Sequence, residues 1–451
     1  MHLCDLSTGD VVASSGMMNP QIRYGEDLMS RVSYVMMNSE GASALTQVVR
    51  SGLNELVEKI CDEAGVHADD ILNSVIVGNP IMHHLLLGID PTELGGAPFA
   101  LATNSGLTLW ASEIELSSNP DGRVYFLPNI AGHVGSDTSA VILSEAPHMQ
   151  DQMTLIVDVG TNAELVLGNS EKLLAASSPT GPAFEGAQIA CGQRATAGAI
   201  ERVRIDPDSK RAKFKIIGSD LWSDEEGFLE ETKNIGVTGI CGSGIIEALA
   251  EMYLAGIMTA DGVIKGELAS NCELIEPSGR TYSYTLVPHP ENPVKIYQTD
   301  VRAIQLAKAA LHAGARLLMD RMGVNRLDRV LLTGAFGSHI DTRYALVLGM
   351  IPDCKPENVI ATGNAAGAGA RIALLNQSAR DEIEQVVKTV EKVETAIEPD
   401  FQEYFVKAMA FPHKSDPYTE LRKVVQLPEL AAGEETNKTG EKRRRRRRSQ
   451  A

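Results

Sequence analysis

Apolar runs and polar breaks alternate along most of the chain, and many of the runs end in glycine. Ser74–Val77 is a short β-branched run stopped by Gly78-Asn79-Pro80, which predicts a strand followed by a helix over His83–Leu87. Val124–Leu127 reads as another strand, ended by Pro128. Thr154–Val157 and Glu164–Leu167 flank the turn Gly160-Thr161-Asn162 and predict a β-hairpin. Val301–Met322 carries Ile304, Ala307, Leu311 and Leu318 on one stripe, the pattern of an amphipathic helix with Gly323 as its stop. Arg329–Leu332 follows as a buried strand. Past Gln377 the character changes: Asp381–Lys392 is highly charged with valines at helical spacing, which predicts a surface helix. Helices mixed with strands and a hairpin predict an α/β fold on a mixed sheet, and no fixed-period repeat is visible.

Composition narrows the class. A chain of 451 residues has room for two or three domains, and 43% hydrophobic with 22% charged residues is ordinary for a globular protein. A formal charge of −18 argues against nucleic acid or an anionic membrane as partner, because phosphates would be repelled. No apolar run approaches the ~18 residues needed to span a bilayer, and Met1–Asp10 has neither the basic start nor the apolar centre of a signal peptide. A cytoplasmic location is the expectation. Cys4, Cys61, Cys191, Cys241, Cys272 and Cys354 are scattered, with no C-x-x-C spacing, and read as reduced, buried thiols. Ala431–Ala451 lacks aromatic residues and ends in the arginine run Arg443–Arg448. Such a block cannot bury a core and reads as a disordered, solvated tail, an arm for an acidic partner being the alternative.

Four segments share one layout, a short apolar strand running into small polar residues: Leu155–Asn162, Val237–Gly244, Leu332–Gly337 and Thr362–Gly367. Glycine lets backbone N–H groups approach an anion, and a following helix N-terminus adds favourable partial charge. Tight turns with close helix packing explain any one such loop; four in one chain favour a phosphate-binding reading. There is no G-x-x-x-x-G-K-S/T loop, so this is not a P-loop protein, and no G-x-G-x-x-G between strand and helix. Asp158, at a strand end before Gly-Thr-Asn, is suited to hold magnesium-bound water, or else caps its own turn. Asp137, in Gly135-Ser136-Asp137-Thr138-Ser139, is placed either for similar chemistry or as a helix N-cap. Glu164 and Glu185 are further carboxylate candidates. His83, His84, His133 and His312 form no metal-ligand spacing and read as structural or partner-facing.

The order of these segments resembles the actin, sugar-kinase and Hsp70 superfamily, in which two RNase-H-like lobes enclose a nucleotide. Ile130–Leu143 resembles its first connecting motif, Thr154–Gly168 the second phosphate hairpin, Arg329–Ser338 the adenosine motif and Ala361–Leu374 the second connecting helix. Longer stretches are similar to the reductive activators of corrinoid proteins: Val77–Pro91, Ser177–Val203, Gly239–Met258, Thr299–Met319, Leu348–Asp353, Gly363–Ala370 and Phe405–His413. The resemblance covers about Leu3 to about Val425. It implies a first lobe over 1–150, a second over 151–375, a helix and docked segment over 376–430 and the tail over 431–451. It also implies ATP and Mg2+ as cofactors, with Asp137 and Asp158 catalytic and Asp158 ordering the metal. The nucleotide contacts implied are Gly160, Thr161, Asn162, Glu164, Gly239, Gly242, Ser243, Gly244, Gly334, Ala335, Phe336, Gly337 and Asn364.

The activity implied is ATP-dependent reduction of an inactive Co(II) corrinoid to Co(I), with a methyltransferase corrinoid protein as partner and a homodimer as assembly. That family carries an N-terminal ferredoxin-like domain with a [2Fe–2S] cluster, and a first phosphate strand reading Asp-Ile-Gly-Thr-Thr. Neither is found in this sequence, whose first residues match the inside of the first lobe. An external electron donor is therefore expected, and ATP hydrolysis by the chain alone is an open point. Two other functions fit the superfamily. One is a small-molecule kinase or hydantoinase-like enzyme with a polar substrate pocket; the other is a module that binds nucleotide or corrinoid protein without turnover.

Overall fold

The computed structural model describes residues 1–337 and 339–428; Ser338 and residues 429–451, which hold the arginine-rich segment, fall outside the described residues. The first 150 residues open on a hairpin, His2–Cys4 against Val11–Ser14, and two helices, Leu28–Met37 and Gly41–Ala64. The first helix starts on a capping box, with Asp27 accepting from the Ser30 N–H at 2.7 Å and Ser30 Oγ accepting from the Asp27 N–H at 3.0 Å. Asn73–Ile76 then pairs in parallel with Arg123–Phe126, which pairs antiparallel with Leu107–Trp110. The strand-to-helix unit expected after Ser74 is present, but its helix begins at Pro80. Asn79 caps it through the Met82 N–H at 3.0 Å, Pro80 sits where no donor is needed, and Gly88 ends it at φ +74°. Helix α1, Ser136–Glu145, closes this segment.

The centre of the molecule is a six-stranded mixed sheet. Its strands in chain order are β1 (Thr154–Val159), β2 (Ala163–Gly168), β3 (Leu173–Ser178), β4 (Arg329–Thr333), β5 (Val359–Gly363) and β6 (Glu391–Lys392). Across the sheet the order is β5-β4-β1-β2-β3-β6. β1 and β2 form the expected hairpin, β2 and β3 are antiparallel, and β5, β4 and β1 run parallel. The strands read as continuous apolar runs because helices cover both faces. The long helices are α2 (Gly242–Leu254), α3 (Gln298–Met322), α4 (Ala365–Leu375) and α5 (Gln377–Thr389).

Residues alternate between the two faces as strand geometry requires. Leu155, Val157, Leu165, Leu167, Val330 and Leu332 are buried in one core with α2 and α3. Ile156, Val166, Leu173, Ala175 and Leu331 are buried in another with α1, α4 and α5. In α3 the expected stripe of Ile304, Ala307, Leu311 and Leu318 is buried, and Gly323 ends the helix at φ +73°. Gly314 lets α3 sit close on the sheet, since a Cβ there would come within 2.7 Å of Leu165 Cδ1. A closer approach joins α4 to α1: a Cβ on Gly369 would lie 1.9 Å from the Ala140 carbonyl oxygen. The last helix of the first 150 residues and two helices from beyond residue 364 therefore share one core.

Two smaller sheets lie between β3 and α3 in the chain. One joins Ala199–Ile205, Ala212–Ile216 and Gly239–Ile240; the other joins Ile275–Ser278, Thr281–Val287 and Val294–Tyr297. The charged helix expected to reach Lys392 stops at Thr389. Val390 turns to φ −68°, ψ 119°, Glu391 and Lys392 add to the β3 edge, and the Val393 N–H donates to Ala175 O at 2.8 Å. An open sheet edge offered ladder bonds that further helix could not. Phe401–Ala408 is helical, and the segment after it docks on α3, where fully buried Lys308 donates to Pro412 O at 2.7 Å. Among the described residues no helix is long and apolar enough to cross a membrane.

Candidate functional site

Asp158 is the last but one residue of β1 and pairs across the hairpin with Glu164 of β2. Asp137 comes from the other side, in the first turn of α1. All three are partly buried. Burial, and then the Asp137 carboxylate, push Asp158 up to about 7. Asp137 is raised to about 6 by burial, against the opposing pull of the Thr138 N–H, which donates to its Oδ1 at 2.8 Å. Glu164 is raised well above the usual carboxylate range by burial, then by Asp137 and Asp158; its bond from Ser177 Oγ, at 3.4 Å, acts the other way. Burial raises all three, Asp137 raises the other two and Asp158 raises Glu164, which makes a site where bound cationic charge is favoured.

The local fold explains why they meet. Ser136 bonds to the loop after Asn73–Ile76, its N–H and its Oγ each donating to Gly78 O at 3.1 Å, which fixes the start of α1. Gly135 holds the cap position, so Asp137 is not the N-cap; it is the second helical residue, and that alternative is corrected. On the far side, β4 pairs with β1 so that Thr333 lies opposite Asp158. The next residue, Gly334, has φ +89°, and a Cβ there would lie 2.3 Å from Asp158 Oδ1. Both facts demand glycine. Thr333 Oγ1 donates to Gly363 O at 2.9 Å, joining the exits of β4 and β5, and Asn364 caps α4 by accepting from the Gly367 N–H at 2.8 Å. The exits of parallel strands β1, β4 and β5 thus share one edge, where open α/β sheets bind ligands.

Other expected contacts are placed differently. The hairpin turn is closed by Gly160 N–H donating to Asn162 O at 3.1 Å, and Thr180 Oγ1 donates to Thr161 O at 3.0 Å. Thr161 Oγ1 donates to Glu185 Oε1 at 2.6 Å, so these two candidates are in direct contact. The turn Gly334–Gly337, which includes Ala335 and Phe336, is a short helical segment directly after β4. Gly239, in the short strand before α2, and Gly242, Ser243 and Gly244, at the start of α2, are all buried. Backbone crowds two of these glycines: a Cβ on Gly244 would lie 2.1 Å from Ile200 O, and one on Gly239 would lie 2.6 Å from Cys191 O. Ser243 Oγ and Cys241 Sγ are 3.3 Å apart. His83 and His84 are both buried, with His84 Nδ1 2.8 Å from Pro80 O.

The opposite wall of the site is built by residues that no sequence motif marks. A cavity of about 250 Å3 beside the hairpin turn is lined by Ile22, Glu26 and Arg31 on one side and Thr161, Pro182, Glu185–Ala187 and Gly192–Arg194 on the other. Arg31 is only 4% exposed, and it is the one charged residue of its helix. The available signal was an arginine directly before Val32 on the core-facing side of an otherwise apolar helix face.

Magnesium fits the site in a limited sense. No group of three His, Cys, Asp or Glu side chains among the described residues is placed to cage an ion. One or two carboxylates with water and phosphate suffice for Mg2+, and Asp158 with Asp137 meets that need. The six cysteines are free and do not gather, so they do not fit an iron–sulfur cluster.

A mixed sheet whose hairpin carries the aspartate, with helices from both chain segments crossing over it, is the ASKHA class of fold shared by actin, sugar kinases and Hsp70. Within that class the chain belongs to the RACo family: residues 152–422 match the C-terminal ASKHA domain of RACo, and residues 1–150 match the RACo middle region. It is 32% identical over 422 residues to the corrinoid activation enzyme RamQ of Eubacterium limosum, covering 91% of this chain and 68% of that one. It is 25% identical over 317 residues to the Co(II) methylated amine-specific corrinoid protein reductase of Methanosarcina barkeri, covering 67% of this chain and 55% of that one. The solved structure of a reductive activator for a corrinoid, iron–sulfur protein superposes with a TM-score of 0.79 at 34% identity, over 91% of this chain and 64% of that one. The chain thus spans between 55% and 68% of the length of these proteins.

Proposed function

We propose that this chain is the ATP-hydrolysing body of a reductive activator for a corrinoid methyltransferase protein, receiving its electron from an external donor. The observation that carries the reading is the carboxylate group of Asp158, Asp137 and Glu164, set where β1, β4, β5 and α1 meet. Crowded carboxylates of raised pKa are stabilised by Mg2+, which ATP brings with it. Bound there, the metal would supply charge neutralisation at the phosphates. Asp158 would hold the metal through a bound water, and Asp137, whose pKa burial raises, would accept a proton from the attacking water. Gly334 keeps the adenosine side close to Asp158 because nothing larger fits.

The function follows from coupling rather than from redox chemistry within this chain. ATP is hydrolysed to ADP and phosphate; separately, one electron from the donor converts Co(II) to Co(I) in the partner. A nucleotide-dependent change in the contacts made with the partner shifts that one-electron equilibrium, and each tenfold shift is about 59 mV, or ~1.4 kcal/mol. Such a protein works as a homodimer, with each copy carrying its own cleft.

The test is calorimetry of the chain with Mg2+ and ATP, for the wild type and for Asp158→Ala. Micromolar binding in the wild type, weakened ~10–100-fold in the variant, is expected from loss of a metal-ordering carboxylate. Equal binding in both would remove Asp158 from the site. A rise in ATP turnover on adding a small polar metabolite, rather than a Co(II) corrinoid protein, would favour the kinase alternative instead.

A further inference from the structure

Resting on the nucleotide reading, we propose that the cavity between Arg31 and the Thr161–Glu185 wall is a phosphate subsite. There Arg31 and Arg194 take the terminal phosphate of a magnesium-complexed nucleoside triphosphate.

Arg31 is the principal ground. It is 4% exposed, yet it forms no ion pair among the described residues. Nε donates to Gly25 O at 2.9 Å, while Nη1 and Nη2 reach Gln21 Oε1 and Glu26 O only at 3.4 Å each. The Asp27 carboxylate acts on it from a distance and offsets its burial only in part. A buried guanidinium whose bonded acceptors are all neutral keeps uncompensated charge and spare donors, which an oxyanion satisfies in a forked geometry.

The facing wall belongs to Ser177–Val203, a long motif to which the nucleotide reading gives no task beyond Glu185. This segment folds tightly back on itself: Gly186 has φ +83°, and a Cβ on Gly192 would lie 2.0 Å from Gly186 O. The fold-back brings Gln193 and Arg194 to the cavity beside Thr161 of the hairpin turn. Arg194 is exposed, and its Nη1 lies 3.0 Å from Met18 Sδ of the first segment.

Size and charge define the ligand. A volume of about 250 Å3 falls below that of an ordinary small-molecule pocket and suits a phosphate group rather than a nucleoside. Glu26 and Glu185 line the same space. A free phosphate would meet both carboxylates, whereas a magnesium-bound phosphate presents charge of both signs. Because the lining comes from both chain segments, a phosphate held there ties one to the other, and its loss on hydrolysis releases them.

The experiment is calorimetry on the full chain with Mg2+ and, in turn, ATP, ADP and inorganic phosphate, for the wild type, Arg31→Met, Arg31→Lys and Arg194→Ala. The wild type should prefer ATP over ADP by at least ~10-fold, the worth of one charged hydrogen bond. That ratio should fall to about one in Arg31→Met and by several-fold in Arg194→Ala, with ADP affinity unchanged and Arg31→Lys intermediate. Circular dichroism shows which variants fold, and exposed Arg194 can be lost without unfolding the chain. An unchanged ATP/ADP ratio in folded Arg194→Ala overturns the subsite and leaves the nucleotide reading standing. If the wild type binds neither nucleotide, that reading fails instead. Magnesium-dependent phosphate binding that Arg194→Ala abolishes would then still support the subsite, and no phosphate binding would overturn it.

Discussion

Asp158 sits between the charges of Asp137 and Glu164, and its pH behaviour has a definite sign. Its pKa is raised from 3.8 to about 7 in the folded chain. Between those values the folded protein holds a proton that the unfolded chain has released, so stability falls as pH rises across that window. The contribution is fully present below pH ~4 and lost above ~7. Asp158→Asn removes it, so the variant should have a flatter profile. Melting temperatures measured from pH 5 to pH 8 should show the wild type losing a few degrees relative to the variant, at roughly 2–4 °C per kcal/mol. Saturating Mg2+ and ATP should close that gap; parallel profiles without ligand would show that Asp158 is not the strained group. The site was partly legible in the sequence at this scale. Asp158 and Gly334 stand out because an apolar strand that runs straight into Asp or Gly and then small residues suits a tight turn or a phosphate and little else. For Arg31 the only sequence signal was its place on an apolar helix face; its role depends on an opposite wall more than 120 positions away. Gly244 shows the converse difficulty: glycine beside a carbonyl and glycine beside a phosphate are written with the same letter.

At the scale of elements, the crossing of α1 and α4 is the least forgiving joint. Gly369 meets Ala140 backbone to backbone, with no side chain to yield. Gly369→Val should therefore force the helices apart and cost ~1–3 kcal/mol, as overpacking does. A lowered urea midpoint with an unchanged slope is the expected reading. A neutral result would mean that the helices can separate freely, and that α4 does not fix the exits of β4 and β5. The elements themselves were mostly legible. The hairpin, α3 and β4 followed from periodicity and from their glycine stops. The end of α5 did not, because the valines of Asp381–Lys392 suit a helix equally well to the last residue. What ends the helix is the unpaired edge of β3, a tertiary fact. Likewise, lobe boundaries read along the chain could not show that α1, α4 and α5 share one core, because their contacts join residues more than 220 positions apart.

For the whole molecule, the proposed activity requires that nucleotide and corrinoid protein be sensed through one conformational equilibrium. The geometry offers the means: the cavity has walls from both chain segments, and α1 brings Asp137 from the first segment to Asp158 of the second. A ligand at that junction alters how the two halves sit, and any partner surface spanning them is altered with it. Thermodynamic linkage makes the consequence quantitative. If Mg2+ and ATP tighten binding of the Co(II) corrinoid protein by some factor, the corrinoid protein must tighten ATP binding by the same factor, typically ~5–150-fold. Both arms can be measured by calorimetry with either ligand saturating. Equal factors above one are expected for the wild type, and both should fall toward one in Arg194→Ala, which keeps the fold but loosens the grip on the terminal phosphate. Unequal factors would mean the two binding events were not measured at equilibrium, for example because ATP was being consumed, and a non-hydrolysable analogue would restore the comparison. Factors of one in the wild type would mean that nucleotide and partner ignore each other, and an activator built on this chain could not then use ATP to move an electron.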